Sequence, residues 1–161
     1  MDSGVRSTVK LIVVNDGKVL LNRCRSEPIG EYYSLPGGGQ EKYETLDQAV
    51  RRECLEETGY TVAPERFVAL FEEINENPAF RAEYPQYAHK MLHIFVCRLA
   101  SDDTVKPSEM DESQVACEWV EISDVANRNL LPKVVKERFY ELLNAERAVF
   151  LGSDHLMFNH G

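Results

Sequence analysis

No stretch of this 161-residue chain approaches the roughly 20 consecutive apolar residues that a membrane helix needs. The opening Met1-Asp2-Ser3-Gly4-Val5-Arg6 has no apolar leader core, so the expectation is a cytoplasmic protein. There is no C-x-x-C pair among Cys24, Cys54, Cys97 and Cys117. That argues against a redox motif or structural zinc and for free thiols in a reducing compartment. Basic excess is absent as well: 27 acidic against 18 basic side chains give a formal charge of −9. A nucleic-acid backbone binder needs a basic face, so that class is excluded. No G-x4-G-K-[ST] loop occurs, which removes the P-loop route to phosphate.

What is present is one domain's worth of chain, 1–161, with an apolar content of 43%. Two apolar runs, 6–14 and 18–22, flank Asn15-Asp16-Gly17 and predict a hairpin. Residues 26–39 hold two prolines and four glycines and read as loop. Strands are expected at 67–74, 91–99 and 115–122, with a long loop at 75–88 and an acidic loop at 100–113. His89 and His93 fall on one face of a strand, about 13 Å apart, too far to share a metal. Ser123-Asp124 is expected to cap a short helix, and Pro132 to start a last helix running to about 147. The tail from 148 carries no clear pattern. Interleaved strands and helices imply an α/β or α+β class with a mixed sheet.

The informative segment begins at Leu35-Pro36-Gly37-Gly38-Gly39. A helix follows, with Thr45 as N-cap, Gln48 completing a capping box, and Gly59 as the stop. Leu46, Ala49, Val50 and Cys54 form its apolar stripe. Glu53, Glu56 and Glu57 stand at i, i+3 and i+4, which gathers three carboxylates on one face. Like charges so placed repel one another, and they sit near the helix end where the macrodipole disfavours anions. A local rule is broken twice at one place, as functional sites do. Clustered hard oxygens suit Mg²⁺ or Mn²⁺; the plain alternative is a solvated face paired with Arg51 and Arg52.

The spacing from Gly38 through Glu44 to Arg52-Glu53, Glu56-Glu57 and Gly59 resembles the Nudix (MutT-type) hydrolase signature G-x5-E-x7-R-E-U-x-E-E-x-G-U. All seven fixed positions match across residues 38–60, with Cys54 and Tyr60 standing where the family has aliphatic residues. The resemblance implies an α/β/α sandwich with a mixed central sheet. It also implies a divalent cation, Mg²⁺ or Mn²⁺, held by Glu53, Glu56, Glu57 and the Gly38 carbonyl, with Glu44, Arg52 and Gly59 in support. The implied reaction is hydrolysis of a phosphoanhydride in a nucleoside diphosphate linked to a group X, such as a nucleoside triphosphate, ADP-ribose or nucleotide sugar. A bound cation would reconcile an acidic protein with an anionic substrate.

The carboxylate that takes the proton from the attacking water stays open at this point. Glu56, Glu57 and an acid from another loop are candidates, with Glu112 first and Asp111 second in the acidic loop. Arg23, and after it Arg25, are candidates for meeting a substrate phosphate, against a reading as exposed strand ends. Tyr32, Tyr33, Phe80, Tyr84 and Tyr87 are candidates for stacking on a base, against plain burial or loop packing. A homodimer is common in the family. The competing functional reading is a catalytically weak nucleotide-binding or sensor module on the same fold.

Overall fold

The computed structural model describes residues 4–160. Its first strands are β1 (Arg6–Asn15) and β2 (Lys18–Ser26), joined by a tight turn. Asp16 and Gly17 both take positive φ, 49° and 74°, as a twisted two-residue hairpin demands. Short strands β3 (Gly30–Ser34) and β4 (Gly37–Gly39) follow, then helix α1 (Leu46–Thr58) and the long strand β5 (Tyr60–Asn75). After helix α2 (Pro78–Glu83) and a single 3₁₀ turn (Pro85–Tyr87) comes β6 (His89–Thr104). The chain continues through β7 (Gln114–Glu121), a 3₁₀ turn (Ile122–Asn127) and β8 (Leu130–Leu131). It ends with α3 (Lys133–Glu137), α4 (Phe139–Leu143) and β9 (Val149–Leu156).

The strands form one mixed sheet in the order β8-β3-β2-β1-β6-β5-β9, with β4 also paired to β1 and β7 to β2. Strand β1 runs parallel to β6 from Arg6↔Lys90 to Val14↔Arg98. Its other edge is shared: β4 pairs with its beginning and β2 with its end. The two edge partners therefore part company beside residues 10–14.

Alternation along β1 sends residues to both faces, and both are covered. Val9, Leu11 and Val13, with Leu20, pack against Ala49, Val50 and Cys54 of α1. Ile12, with Val19, Leu21, Ile94 and Val96, packs against Val135, Phe139 and Leu142. A mixed sheet between helices on either face is the expected α/β/α sandwich, in the α+β class.

Several expectations are corrected. The 26–39 stretch is not all loop, because Gly37–Gly39 has β1 as a ladder partner and Tyr32-Tyr33 sits between β2 and β8. Strand β6 extends to Thr104, so the acidic loop is shorter than 100–113. The 75–88 segment contains α2, whose N-cap Asn77 accepts from the amides of Ala79 and Phe80. The last helix ends at Leu143 rather than about 147 and breaks at Arg138, whose φ, ψ of −109°, 15° leave the helical region. Pro132 stands before α3 as its N-cap rather than inside it. At 122–127 there is a 3₁₀ turn, and Asp124 accepts from the Asn127 and Arg128 side chains instead of capping backbone. The patternless tail is β9, which adds to the sheet edge in parallel with β5.

Candidate active site

Helix α1 is set by purely local devices. Thr45 Oγ1 accepts from the Gln48 amide at 3.1 Å, and Gln48 Oε1 accepts from the Thr45 amide at 2.9 Å. Gly59, at φ 80°, donates its amide to the Leu55 carbonyl and closes the other end. The Glu56 carbonyl is satisfied from outside: the Ser108 and Glu109 amides both reach it at 2.9 Å. Those two contacts, with Val105 donating to the Gly59 carbonyl, tie the acidic loop to the carboxylate end of α1.

Arg52 organises the outer carboxylates. Its guanidinium grips Glu44 with two bonds of 2.6 and 2.8 Å and donates to the Gly39 carbonyl at 2.9 Å. It also reaches Glu53 at 2.9 Å and Glu56 at 3.1 Å. The Glu44 carboxylate raises the pKa of Arg52, and Arg52 in turn holds Glu44 below its usual range. Glycine loop and helix are thus locked together through one cation.

Glu57 lies deeper, only 8% exposed. Its Oε1 accepts from Asn22 Nδ2 and, at 3.4 Å, from the Gly37 amide. Gln114 Nε2 donates to Asn22 Oδ1 at 3.2 Å and so orients that amide. Burial pushes the Glu57 carboxyl up to about 7, because its near partners are neutral and Lys10 acts only through space. Burial also raises Glu53, against the opposing pull of Arg52.

Gly38 lies flat against Glu53: a Cβ at that position would sit 2.5 Å from Glu53 Oε2. A side chain at this position would push the Glu53 carboxylate aside. Glu53, Glu56 and Glu57 offer hard oxygens alone, the donor set that Mg²⁺ or Mn²⁺ takes. By donor chemistry and by the glycine cradle, the residues fit such an ion. Among the described residues, no three His, Cys, Asp or Glu side chains stand close enough to hold a metal as placed. The Arg52 guanidinium occupies Glu53 and Glu56 instead.

Glu53, Glu57 and the three glycines open onto a cleft of about 390 Å³. The same cleft has a basic lining that comes from strands: Arg6 and Lys10 on β1 and Lys90 on β6. The acidic loop supplies Glu109, Asp111 and Glu112 to the rim. Lys90 is almost fully buried, and burial lowers its ammonium to about 8, with Lys10 and Arg6 adding repulsion and Glu73 opposing it. A wider, open depression of about 600 Å³ by Tyr43 and Leu55 touches neither Glu53 nor Glu57.

Of the expected site residues, Glu53, Glu57, Gly38, Glu112 and Asp111 meet in the cleft, while Glu44, Arg52 and Gly59 frame it. Glu56 shares the helix face but is bound to Arg52 and does not line the cleft. Arg23 is not brought there. It lies outside the cleft lining and pairs with Glu118 at 3.3 Å. Arg25 is exposed beside Glu31. Tyr32 and Tyr33 are buried, and Phe80 rests on Tyr84. Tyr87 does line the cleft, under the Arg6 guanidinium at 4.8 Å. The cations Arg6, Lys10 and Lys90 went unnoticed in the sequence. The available signal was alternation, since Arg6, Thr8 and Lys10 recur at every second residue before the buried Ile12.

Comparison with known proteins follows the geometry. A model of the NUDIX domain family matches residues 4–143. The chain belongs to that family. It is 33% identical over 67 residues to an ADP-ribose pyrophosphatase of Methanocaldococcus jannaschii, covering 42% of this chain and 40% of that protein. It is 27% identical over 142 residues to an ADP-ribose pyrophosphatase of Bacillus subtilis, covering 88% and 69%. A solved NUDIX hydrolase from Nitrosomonas europaea superposes with a TM-score of 0.67 at 21% identity, covering 89% of this chain and 92% of that one. The structural likeness shows the fold.

Proposed function

We propose that this chain hydrolyses a phosphoanhydride bond in a nucleoside diphosphate linked to a group X, with Mg²⁺ or Mn²⁺ as cofactor. The observation that carries this reading is a single cleft lined both by the Glu53 and Glu57 carboxylates and by Arg6, Lys10 and Lys90. The carboxylates suit a hard cation and the basic groups suit phosphate oxygens. The ADP-ribose pyrophosphatase relatives support ADP-ribose as a candidate substrate, with nucleoside triphosphates and nucleotide sugars as the others. Glu53, Glu56, Glu57 and the Gly38 carbonyl would hold the cation. When bound, it supplies neutralisation of the pyrophosphate and a more acidic water.

The remaining roles belong to the chain. Glu44 and Arg52 keep the glycine loop against α1. Glu112, at the rim, takes the proton of the attacking water, with Asp111, Glu56 and Glu57 as the alternatives. Residues 1–161 act as one domain, a reading supported by β9, which lies beyond the family match yet shares the sheet. The substrate is a small nucleotide. No helix among the described residues is long and apolar enough to cross a membrane. A cytoplasmic location and a homodimer complete the reading.

The second reading, a nucleotide-binding module without turnover, is favoured by the grip of Arg52 on Glu53 and Glu56. One experiment decides. The protein is incubated with Mg²⁺ and nucleoside triphosphates, ADP-ribose, dinucleoside polyphosphates and nucleotide sugars, and released phosphate or nucleotide is assayed. Metal-dependent turnover that is lost in Glu56→Gln supports the hydrolase. No turnover of any compound, or an unchanged rate in the variant, rejects it.

A further inference from the structure

Residues beyond 143 lie outside the family match, yet Asn159 returns to the cleft and His160 sits buried behind it. Strand β9 runs beside β5 as far as Asn75↔Leu156. The Glu76 amide donates to the Leu156 carbonyl at 2.6 Å, and Asn77 Nδ2 to the Met157 carbonyl at 3.2 Å. Fastened there, the chain turns back over the sheet. His160 is 5% exposed, and its Nε2 lies 2.7 Å from Oε2 of Glu73, itself 1% exposed. Glu73 Oε1 is 3.9 Å from Lys90 Nζ. Asn159 stays at the surface, lines the cleft, and accepts from Lys90 Nζ at 3.5 Å.

On the other side of Lys90, the parallel register sets Arg6 directly opposite it on β1. The Arg6 guanidinium is braced on the Tyr87 ring. Two cations side by side on one sheet face repel one another. Glu73 offsets that repulsion only partly, because it is buried behind Lys90 rather than lining the cleft. A lysine point charge, an arginine fork and a side-chain amide around one opening make a donor set for phosphate oxygens.

We propose that Lys90, Arg6 and Asn159 form a subsite for a phosphoryl group, and that His160, acting through Glu73, is the positioning residue that holds Lys90 there. The segment after β9 thereby becomes part of the substrate site. The proposal rests on the hydrolase reading only for which molecule carries the phosphoryl group.

The test is calorimetric titration of the whole chain with inorganic pyrophosphate in Mg²⁺, with thermal unfolding confirming that each variant is folded. Lys90→Gln is expected to weaken binding about tenfold or more, and Lys90→Arg to restore it to within about threefold. Arg6→Gln and Asn159→Asp, at positions where the core is not touched, are expected to weaken it about fivefold. His160→Leu is expected to weaken it about fivefold, and His160→Gln, which keeps a donor toward Glu73, about twofold or less. Wild-type affinity in both Arg6→Gln and Asn159→Asp overturns the subsite, and so does failure of the wild type to bind pyrophosphate. Wild-type affinity in a folded His160→Leu overturns the positioning role. The turnover panel is scored separately. Binding in the expected pattern without hydrolysis sinks the hydrolase and keeps the subsite, whereas hydrolysis with an unchanged KM in Lys90→Gln does the reverse.

Discussion

Two glutamates, Glu57 on α1 and Glu73 on β5, are about equally withdrawn from water, yet their carboxyls are pushed in opposite directions. Burial drives Glu57 up to about 7. Burial works on Glu73 too, but the His160 contact and the charges of His160, Lys90 and Lys10 outweigh it and hold the carboxyl below its usual range. Both are buried, and their company differs. Glu73 has the His160 imidazole at 2.7 Å and the Lys90 ammonium at 3.9 Å, whereas the near partners of Glu57 are the Asn22 amide and the Gly37 N–H. A buried carboxylate whose near partners are neutral would gain from a cation supplied from outside, whereas Glu73 already has Lys90.

That contrast can be broken in four ways. The largest effect concerns turnover: Glu57→Gln is expected to lower kcat by about 10² or more, as loss of a group that works in the reaction does. Steady-state rates with the substrate found in the panel check it. Glu73→Gln comes next and should cost about 3–5 kcal/mol of stability in urea unfolding, because it leaves the buried Lys90 without its counter-ion. In divalent-free buffer, Glu57→Gln should leave stability unchanged or raise it; a loss as large as that of Glu73→Gln would erase the distinction between the two.

The pH dependence has opposite signs at the two sites. Native Glu57 keeps its proton up to about pH 7, whereas the unfolded chain releases it near 4.5. In divalent-free buffer its contribution to stability is therefore present below 4.5 and fades as pH rises to 7, by about 3 kcal/mol. Glu73 contributes above its unfolded value and loses that contribution as pH falls. Urea unfolding across pH 4.5–7 should show a slope that Glu57→Gln removes and that saturating Mg²⁺ flattens. The smallest effect lies at the other end of α1, where Thr45→Ala should cost about 1 kcal/mol by removing the cap, with little change in turnover.

How much of this could be read from the sequence follows the range of the interactions. The Thr45–Gln48 box, the Gly59 stop and the carboxylate spacing are set within a turn or two of helix, so residues 38–60 were legible. The basic wall was not. Arg6 and Lys90 are neighbours only because β1 runs parallel to β6 in one register, and a single sequence does not state a register. Glu73, Lys90, Asn159 and His160 are likewise brought together by β5, β6 and the segment after β9. Where Arg23 comes to lie is likewise not a local matter, since its partner Glu118 is brought beside it by the pairing of β2 with β7, almost a hundred residues on. The break at Arg138 shows the limit of helical periodicity, since Val134, Val135, Phe139 and Leu142 keep their apolar side although the helix does not persist through them.

The Glu56 carbonyl, which accepts the amides of both Ser108 and Glu109, has a bearing on how the cleft breathes. Those amides can exchange with solvent only when the loop leaves the end of α1. Hydrogen exchange at Ser108 and Glu109 therefore reports the detachment of the rim that carries Asp111 and Glu112. Peptides covering 105–112 should exchange as one unit, and anything that frays the last turn of α1 should loosen the far side of the cleft with it. The acidic rim is fastened to the carboxylate end of α1 by backbone bonds, so a substitution at Glu56 that keeps the helix intact should leave that fastening in place.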